Sequence, residues 1–241
     1  EVRPPGEVEP QGGIFRVDLK TGWVRPIIPV ERDHILTHVV FNPKGTRICF
    51  SDKVKLPDGG FWNRFITANP DGTDRYVLPG HISHFDWKNE TEIFGFGKSN
   101  TKMMELRKKG VFQNPFLKHL LMVARRMRGR LKQTIASQGY FLFEDKTQTT
   151  KPVAPGILTE DGHPQFSPDG KRVVTDTYPD KNHEQTLILY DWENKKRIDV
   201  AKFNSLSKGL PESWDVSEMR SDLHPRWNRD GTKVCVDSVD G

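Results

Sequence analysis

The sequence predicts an all-β protein made of repeated four-stranded units, and three observations lead to this prediction. The hydrophobic content is only 34%, while the 241 residues include 20 glycines and 17 prolines. This composition is typical of many short strands joined by turns, and less so of a helical bundle. In addition, a motif that opens on an aromatic residue recurs along the chain, and apolar and polar residues alternate on either side of its turn.

Four copies of the motif begin at Phe41, Phe85, Phe166 and Trp227. They read FNPKGTRICFSD, FDWKNETEIFGFG, FSPDGKRVVTDT and WNRDGTKVCVDS. In three of them a Lys-Gly or Asp-Gly pair can supply the positive φ of a tight hairpin turn. We therefore expect each copy to form an inner strand, a turn and a second strand.

A second strand pair accompanies most copies of the motif. FITANPDGTDRYVLPG follows the first copy, TLILYDWENKKRIDVAKF follows the third, and IFRVDLKTGWVRPIIPV precedes the first. Four strands per unit, repeated about an axis, predict a β-propeller, because a β-sandwich would not repeat its turn motif at matching strand positions. We interpret residues 1–241 as one propeller domain with half a blade, three blades and a further half. The two halves could combine into a fourth blade, but we favour part of a larger ring.

One interval between copies is too long. Phe41 and Phe85 are 44 residues apart, whereas Phe85 and Phe166 are 81 apart. The surplus, at about residues 98–138, contains PFLKHLLMVARRMRGRLKQTIASQG, in which apolar residues recur near helical spacing between Arg and Lys. This pattern predicts a basic amphipathic helix inserted into one blade.

Positive charge is concentrated in that insertion. The chain carries 37 Lys and Arg against 32 Asp and Glu, a net charge of +5, yet between Lys102 and Lys132 ten basic residues face one acid, Glu105. The remainder is slightly acidic, so the composition does not predict nucleic-acid binding. The insertion could be a cap or a partner contact with a solvated charged face, or it could capture an acidic polymer or a membrane surface. No apolar run is long enough for a membrane span.

The two cysteines, Cys49 and Cys235, lie eight residues after the aromatic of their own motif copies. Equivalent positions in different blades are expected to be too far apart to pair, so we interpret both as small buried hydrophobes. They do not fix the compartment, for which we favour the cytoplasm over the periplasm.

Histidines recur at one position of the motif. His38, His163 and His224 each lie three residues before the aromatic, and the second copy has His81 and His84 nearby. In a propeller the inner strands begin at the same face of the central channel, so these side chains would converge into a metal site or catalytic cluster. A structural role, in which each imidazole bonds a neighbouring backbone, is the alternative.

At these residues the sequence resembles the oligogalacturonate lyases, seven-bladed propellers that cleave short pectin fragments by β-elimination. RVDLKTG, NRFITANPDGTDR, SHFDW and MRSDLHPRW are similar to family segments in the same order along the chain. The resemblance implies that His84 is the catalytic base and Arg64 a functional arginine, and that His163 and His224 bind a divalent metal, with Mn²⁺ expected.

The resemblance is incomplete at the metal. Asp222 stands where the family has another histidine, and Met219 and Arg220 occupy the region of its glutamine ligand. Aspartate oxygen can bind manganese, so Asp222 can replace a ligand, or else the metal is lost. We expect His38, His81 and Arg226 to contact the substrate.

Three functions remain open at this point. The first is a lyase that cleaves acidic, uronate-containing oligosaccharides, with Arg64 or the metal neutralising the carboxylate and His84 removing the C5 proton. The second is a propeller without activity that binds a protein or an acidic glycan, which the altered metal ligands and the basic insertion favour. The third, a propeller domain of a serine peptidase, is weaker because no Gly-x-Ser-x-Gly motif occurs. Arg64 could equally pair with an acid on a neighbouring strand, and His84 could be a hydrogen-bonded core residue.

Overall fold

The computed structural model describes residues 12–57, 59–98, 106, 109–111, 114, 138–206 and 221–239. Within these ranges the strands form five antiparallel sheets, which we number I to V in chain order. The chain divides into two compact units, with sheets I and II in the first and sheets III, IV and V in the second. The prediction of an all-β protein is confirmed for this part of the chain, whereas the single propeller domain over residues 1–241 stays a prediction.

The first unit contains a two-stranded and a four-stranded sheet. Sheet I pairs β1 with β2, and sheet II has the order β3-β4-β5-β6, so each strand pairs with its neighbour in sequence. The strands are β1 Gly13–Val17, β2 Val24–Pro29, β3 His34–Phe41, β4 Ile48–Lys55, β5 Phe61–Ala68 and β6 Tyr76–Val77.

The second unit contains two four-stranded sheets and a pair. Sheet III is β7-β8-β9-β10, sheet IV is β11-β12-β13-β14, and sheet V is β15-β16, again with neighbours in sequence paired. The strands are β7 His81–Trp87, β8 Glu92–Lys98, β9 Gln138–Glu144, β10 Thr150–Val153, β11 Gln165–Phe166, β12 Arg172–Asp176, β13 Glu184–Asp191, β14 Lys196–Asn204, β15 Arg226–Trp227 and β16 Val234–Cys235.

The motif turns have the predicted conformation. Gly45, Gly170 and Gly231 adopt φ of 69°, 70° and 69°, a region that glycine enters without steric strain. Each donates its backbone N–H to the carbonyl three residues earlier, at 2.8–3.1 Å. The turns therefore set the register of the first two strands in sheets II, IV and V. The predicted sequence of a half unit, three full units and a half unit matches sheets I to V.

The surplus segment separates the second and third strands of sheet III. Strand β8 ends at Lys98 and β9 begins at Gln138, close to the predicted bounds of 98 and 138. The helix predicted within this segment lies outside the described residues. In the described part of the chain, no helix is both long and apolar enough to cross a membrane.

Each unit has its own apolar core, because the alternating side chains of the strands point inward on one face. In the first unit the core residues are Ile14, Ile28, Ile48, Phe50, Ile66 and Ala68. In the second unit sheets III and IV share the buried residues Phe94, Phe96, Tyr140, Phe166, Val173, Ile188 and Tyr190. Sheets IV and V share Val174, Leu187 and Leu223.

Hydrogen bonds also join the first strands of the three sheets in the second unit. The backbone N–H of Phe166 in β11 donates to Oδ2 of Asp86 in β7 at 2.8 Å. The backbone N–H of Trp227 in β15 donates to Oε1 of Gln165 in β11 at 2.6 Å. These bonds place β11 between β7 and β15.

Candidate metal and catalytic site

Three of the predicted histidines meet in the second unit. The ring of His163 lies between the other two, with its centroid 4.3 Å from that of His84 and 4.0 Å from that of His224. We call these residues the histidine cluster. Their side chains are 15%, 11% and 38% exposed, so solvent reaches the cluster from the side of His224. The predicted convergence of histidines that are distant in sequence is confirmed for these three.

His84 lies on β7 at an irregularity in its pairing with β8, between Ile82 and His84. Its Nδ1–H donates to Oδ1 of Asp161 at 3.1 Å, and the hydroxyl of Ser83 donates to the same oxygen at 2.8 Å. A carboxylate can only accept, so this contact places the imidazole proton on Nδ1 and makes Nε2 the basic nitrogen.

His163 is held by Asp176, the last residue of β12. Its backbone N–H donates to Oδ1 at 2.6 Å, and its Nδ1–H lies 3.0 Å from both carboxylate oxygens. The preceding Gly162 permits this contact, since a Cβ there would overlap the backbone oxygen of Asp176. Backbone and ring are thereby fixed together.

Asp176 is 1% exposed and also accepts the backbone N–H of His224 at 3.2 Å. Burial acts to raise the pKa of this carboxyl, but the hydrogen bonds that it accepts from His163 and His224 outweigh burial and hold the pKa below its usual value. One ionised carboxylate thus ties the segments that carry His163 and His224 to the end of β12.

His224 adopts φ of +40°, which is rare for a residue other than glycine. Its Nδ1–H donates to the backbone oxygen of Asp222 at 3.2 Å. Burial, and next the neighbouring His163, lower the pKa of His224, which favours the neutral imidazole. As in the other two histidines, the hydrogen bond at Nδ1 leaves Nε2 as the nitrogen with the lone pair.

Asp222 completes a set of possible metal ligands. His163, Asp222 and His224 each offer one ligand atom, and these atoms lie within 4.8 Å of one another. Two imidazole nitrogens and a carboxylate oxygen suit Mn²⁺ or another first-row divalent ion. The bond from His163 to a buried carboxylate is the arrangement that commonly orients a metal-binding histidine. The residues present therefore fit a divalent metal.

Tyr178 and Arg226 border the cluster. The ring centroid of Tyr178 lies 6.1 Å from that of His84 and 5.8 Å from that of His163. The guanidinium of Arg226 is exposed and donates from Nη1 to the backbone oxygens of His224 and Pro225, at 3.1 and 3.3 Å. This places a cation beside the cluster, where an anionic ligand could contact it, and its predicted substrate role stays a prediction.

The predicted residues of the first unit have other surroundings. Arg64 donates from Nε to Oδ2 of Asp52 at 2.8 Å, and its Nη2 lies 2.7 Å from the same oxygen. His34 also binds Asp52, through Nδ1 at 2.9 Å, so a buried carboxylate on β4 is shared by two partners. Arg64 thus forms an ion pair with an acid on a neighbouring strand, which is the alternative that the sequence analysis gave for this residue. Its proposed role with substrate stays a prediction.

Two further predicted substrate residues are placed as follows. His38 is exposed, has φ of +55° and contacts the hydroxyl of Thr37 at 2.9 Å through Nδ1. A register shift between Thr37 and Val40 interrupts the pairing of β3 with β4 at this point. The corresponding strand after His163, β11, has only two residues. His81 begins β7 opposite Lys98. Their contact with substrate stays a prediction.

The sequence analysis missed the residues that orient the histidines. Asp176 had a usable signal, because Asp52, Asp176 and Asp237 recur at nearly the same motif position, ten or eleven residues after the aromatic. Asp161 comes from an irregular segment with no counterpart in the other copies. Gln185 lies on a strand that the motif does not cover, and its contact with Asp222 arises only in three dimensions.

Neither a protein-family model nor the sequence of a curated protein matches this chain. Among solved structures, an oligogalacturonate lyase in complex with manganese is 12% identical with a TM-score of 0.53, over 95% of this chain and 68% of that one. An oligogalacturonate lyase from Vibrio parahaemolyticus is 12% identical with a TM-score of 0.50, over 91% and 51%. The tricorn protease is 11% identical with a TM-score of 0.54, over 94% and 22%.

At these identities the likeness shows a similar fold and does not carry an activity with it. This chain also spans only about half to two thirds of the two lyases and under a quarter of the protease. Both lyases and a protease resemble it, so the chemistry must be argued from the side chains of the second unit.

Proposed function

We propose that this chain is part of a β-propeller lyase that cleaves uronate-containing oligosaccharides by metal-assisted β-elimination. The observation that carries the proposal is the position of His84, whose ring packs against His163 beside the trio His163, Asp222 and His224. A base next to a divalent-metal site is the minimum that removal of a proton α to a carboxylate requires. The sheets would be three complete blades and two half blades of the ring.

The metal ligands would be Nε2 of His163, Nε2 of His224 and a carboxylate oxygen of Asp222. A divalent cation at this position would neutralise the uronate carboxylate and so make the adjacent C5 proton more acidic. The chain contributes orientation, because Asp176 fixes the ring and the backbone of His163 and the backbone of His224. Arg226, at the edge of the cluster, supplies further positive charge for an acidic substrate.

His84 is the proposed base. Asp161 holds its Nδ1–H, so Nε2 accepts the C5 proton while the C5–H electron pair becomes the C4–C5 double bond. The bond between C4 and the glycosidic oxygen breaks, and the departing oxygen takes a proton from water. Asp161 then stabilises the imidazolium that forms on His84.

Two measurements on the purified protein test this proposal. Metal-free protein should bind one Mn²⁺, and Mn²⁺-loaded protein should convert oligogalacturonate to a product with the ultraviolet absorbance of an unsaturated uronate. His84→Ala should abolish that absorbance change and retain Mn²⁺ binding, whereas His163→Ala should lose both.

His183→Ala is the matched control for these histidine variants. His183 is an exposed histidine of the same unit whose backbone N–H bonds Asp180, and it should keep both properties. Unchanged turnover in His84→Ala would exclude His84 as the base, and absence of Mn²⁺ binding would exclude the metal site.

A second candidate function is binding of an acidic glycan or protein without catalysis. The concentration of ten basic residues between Lys102 and Lys132 favours it, as does the presence of Asp222 in place of a histidine in the ligand set. In that case the protein should hold no stoichiometric divalent ion and should bind polygalacturonate in a salt-dependent manner. Replacing Arg125, Arg126, Arg128 and Arg130 by Gln should then remove the binding.

A further inference from the structure

Gln185, the second residue of β13, is a fully buried polar side chain next to the proposed metal ligands. It is 0% exposed, as are few glutamines in proteins, and lies on the strand face that packs toward Leu223 and sheet V. Its Nε2 donates to the backbone oxygen of Ser221 at 2.9 Å and lies 3.4 Å from Oδ1 of Asp222.

The orientation of the amide follows from these contacts. The backbone oxygen of Ser221 can only accept, so the amide nitrogen must face it. The amide oxygen, Oε1, then has no hydrogen-bond partner among the described residues. Leaving a buried acceptor unpaired destabilises a protein by about 1–3 kcal/mol, and an apolar side chain would avoid this. Packing alone therefore gives no reason for a glutamine at this position.

The segment from Ser221 to Pro225 supplies both Asp222 and His224 but contains no regular secondary structure. A strand ladder therefore does not fix the direction of the Asp222 carboxylate. Nε2 of Gln185 contacts both the backbone and the carboxylate of this short stretch, and it does so from a regular strand.

We infer that Gln185 is a positioning residue that holds Asp222 in its metal-binding orientation. This inference rests on the proposed metal site. Nε2 bonds Oδ1 of Asp222 from outside the proposed ligand set, in the way that outer residues orient ligating carboxylates. Loss of such a contact typically lowers metal affinity about 10- to 100-fold.

Gln165 provides a matched control. It is also a glutamine that joins sheet IV to sheet V, but its Oε1 accepts the backbone N–H of Trp227 and its contacts do not include a proposed ligand. Gln165→Met should lower the stability of the fold and leave Mn²⁺ affinity within about twofold of the original protein.

The test is a titration of metal-free protein with Mn²⁺, in which free Mn²⁺ is followed by electron paramagnetic resonance and folding by circular dichroism. Gln185→Met should bind Mn²⁺ about 10- to 100-fold more weakly than the original protein. If the Met variant does not fold, Gln185→Asn keeps the amide but withdraws it by one methylene, and the same loss is expected. An affinity equal to that of the original protein in the folded variant overturns the inference while the metal site stands.

A double-mutant cycle separates positioning of Asp222 from a general disturbance of the site. In an Asp222→Asn background, Gln185→Met should cause little further loss, because the carboxylate that it orients is already gone. A full additional 10-fold loss in that background overturns the inference. If the original protein binds no Mn²⁺ at all, the metal site and this inference fail together.

Discussion

Asp176 accepts both the backbone N–H and the Nδ1–H of His163, so one buried carboxylate fixes the main chain and the ring of the same histidine. The second oxygen also receives the backbone N–H of His224. Three donors from two segments thus depend on a single residue at the end of β12. The positions of His163 and His224 in the histidine cluster therefore depend on Asp176.

Replacing that carboxylate by an amide should damage both stability and metal binding. In Asp176→Asn, one oxygen remains to accept and an NH₂ group faces donors, so at least one charge-assisted bond is lost. We expect unfolding in urea to show a loss of at least about 2 kcal/mol, and Mn²⁺ affinity to fall about 10- to 100-fold. Asp199→Asn, on exposed β14, is the control and should change neither quantity. Original Mn²⁺ affinity in a folded Asp176→Asn protein would show that Asp176 does not orient the cluster.

Asp161 should affect turnover and leave metal binding intact. Asn at this position can keep an oxygen for both Ser83 and His84, but it removes the negative charge that orients His84 and that would stabilise the imidazolium formed when Nε2 takes a proton. We expect kcat on oligogalacturonate to fall about 10- to 100-fold in Asp161→Asn, with Mn²⁺ affinity unchanged.

The control for Asp161 is Ser83→Ala, which removes the other donor to this oxygen and leaves the contact with His84 in place. It should retain most of the activity. Equal kcat for Asp161→Asn and the original protein would contradict the assignment of His84 as a base oriented by Asp161.

The strands were predictable because their determinants are local. The aromatic residue, the tight turn, which has a glycine in three of the four copies, and the alternating apolar residues specify a hairpin within about a dozen residues. The structure has the hairpins at Phe41, Phe85, Phe166 and Trp227. Convergence of His163 and His224 was predictable for the same reason, since equivalent positions in successive units fall at equivalent places.

The rest of the site depends on contacts that the repeat does not encode. His38 has the same motif position as His163, yet in sheet II it is His34 that binds the equivalent aspartate, Asp52. The register shift in β3 changes which side chain faces that aspartate. Asp161 contacts His84 and Gln185 contacts Asp222 from segments outside the motif, so pattern alone could not identify them.

Adding even one methyl group at Gly162 should destabilise the protein. A Cβ at this position overlaps the backbone oxygen of Asp176, which cannot move without disturbing β12. We expect Gly162→Ala to destabilise the protein by about 1–3 kcal/mol in urea unfolding and to weaken Mn²⁺ binding, because the N–H of His163 is forced away from Asp176.

Gly139→Ala provides the comparison for Gly162→Ala. A Cβ at Gly139 on β9 meets no atom of the described residues within 4 Å, so its effect should stay within about 0.5 kcal/mol. Equal stability of the two alanine variants would mean that the close approach of Gly162 to Asp176 is not a constraint on the fold.

Asp86 should make stability fall as pH rises through the weakly acidic range. Burial raises the pKa of Asp86 to about 6, although the backbone N–H groups of Phe166 and Trp87 and the charge of Arg226 oppose the shift. The folded state therefore binds more protons than the unfolded state between about pH 4 and 6. The contribution of Asp86 to the free energy of unfolding is fully present below about pH 4 and is lost above 6. At about 1.4 kcal/mol per pKa unit, it reaches at most about 3 kcal/mol.

Asp86→Asn removes this titration and keeps an amide oxygen that can accept the N–H of Phe166. Urea unfolding at intervals from pH 4 to 7 should show that the original protein loses stability relative to Asp86→Asn as pH rises. Because every other titrating group is shared, the difference between the two curves isolates Asp86. Parallel curves over this range would mean that the carboxyl titrates at its ordinary pKa and that burial between β7 and β11 does not penalise its charge.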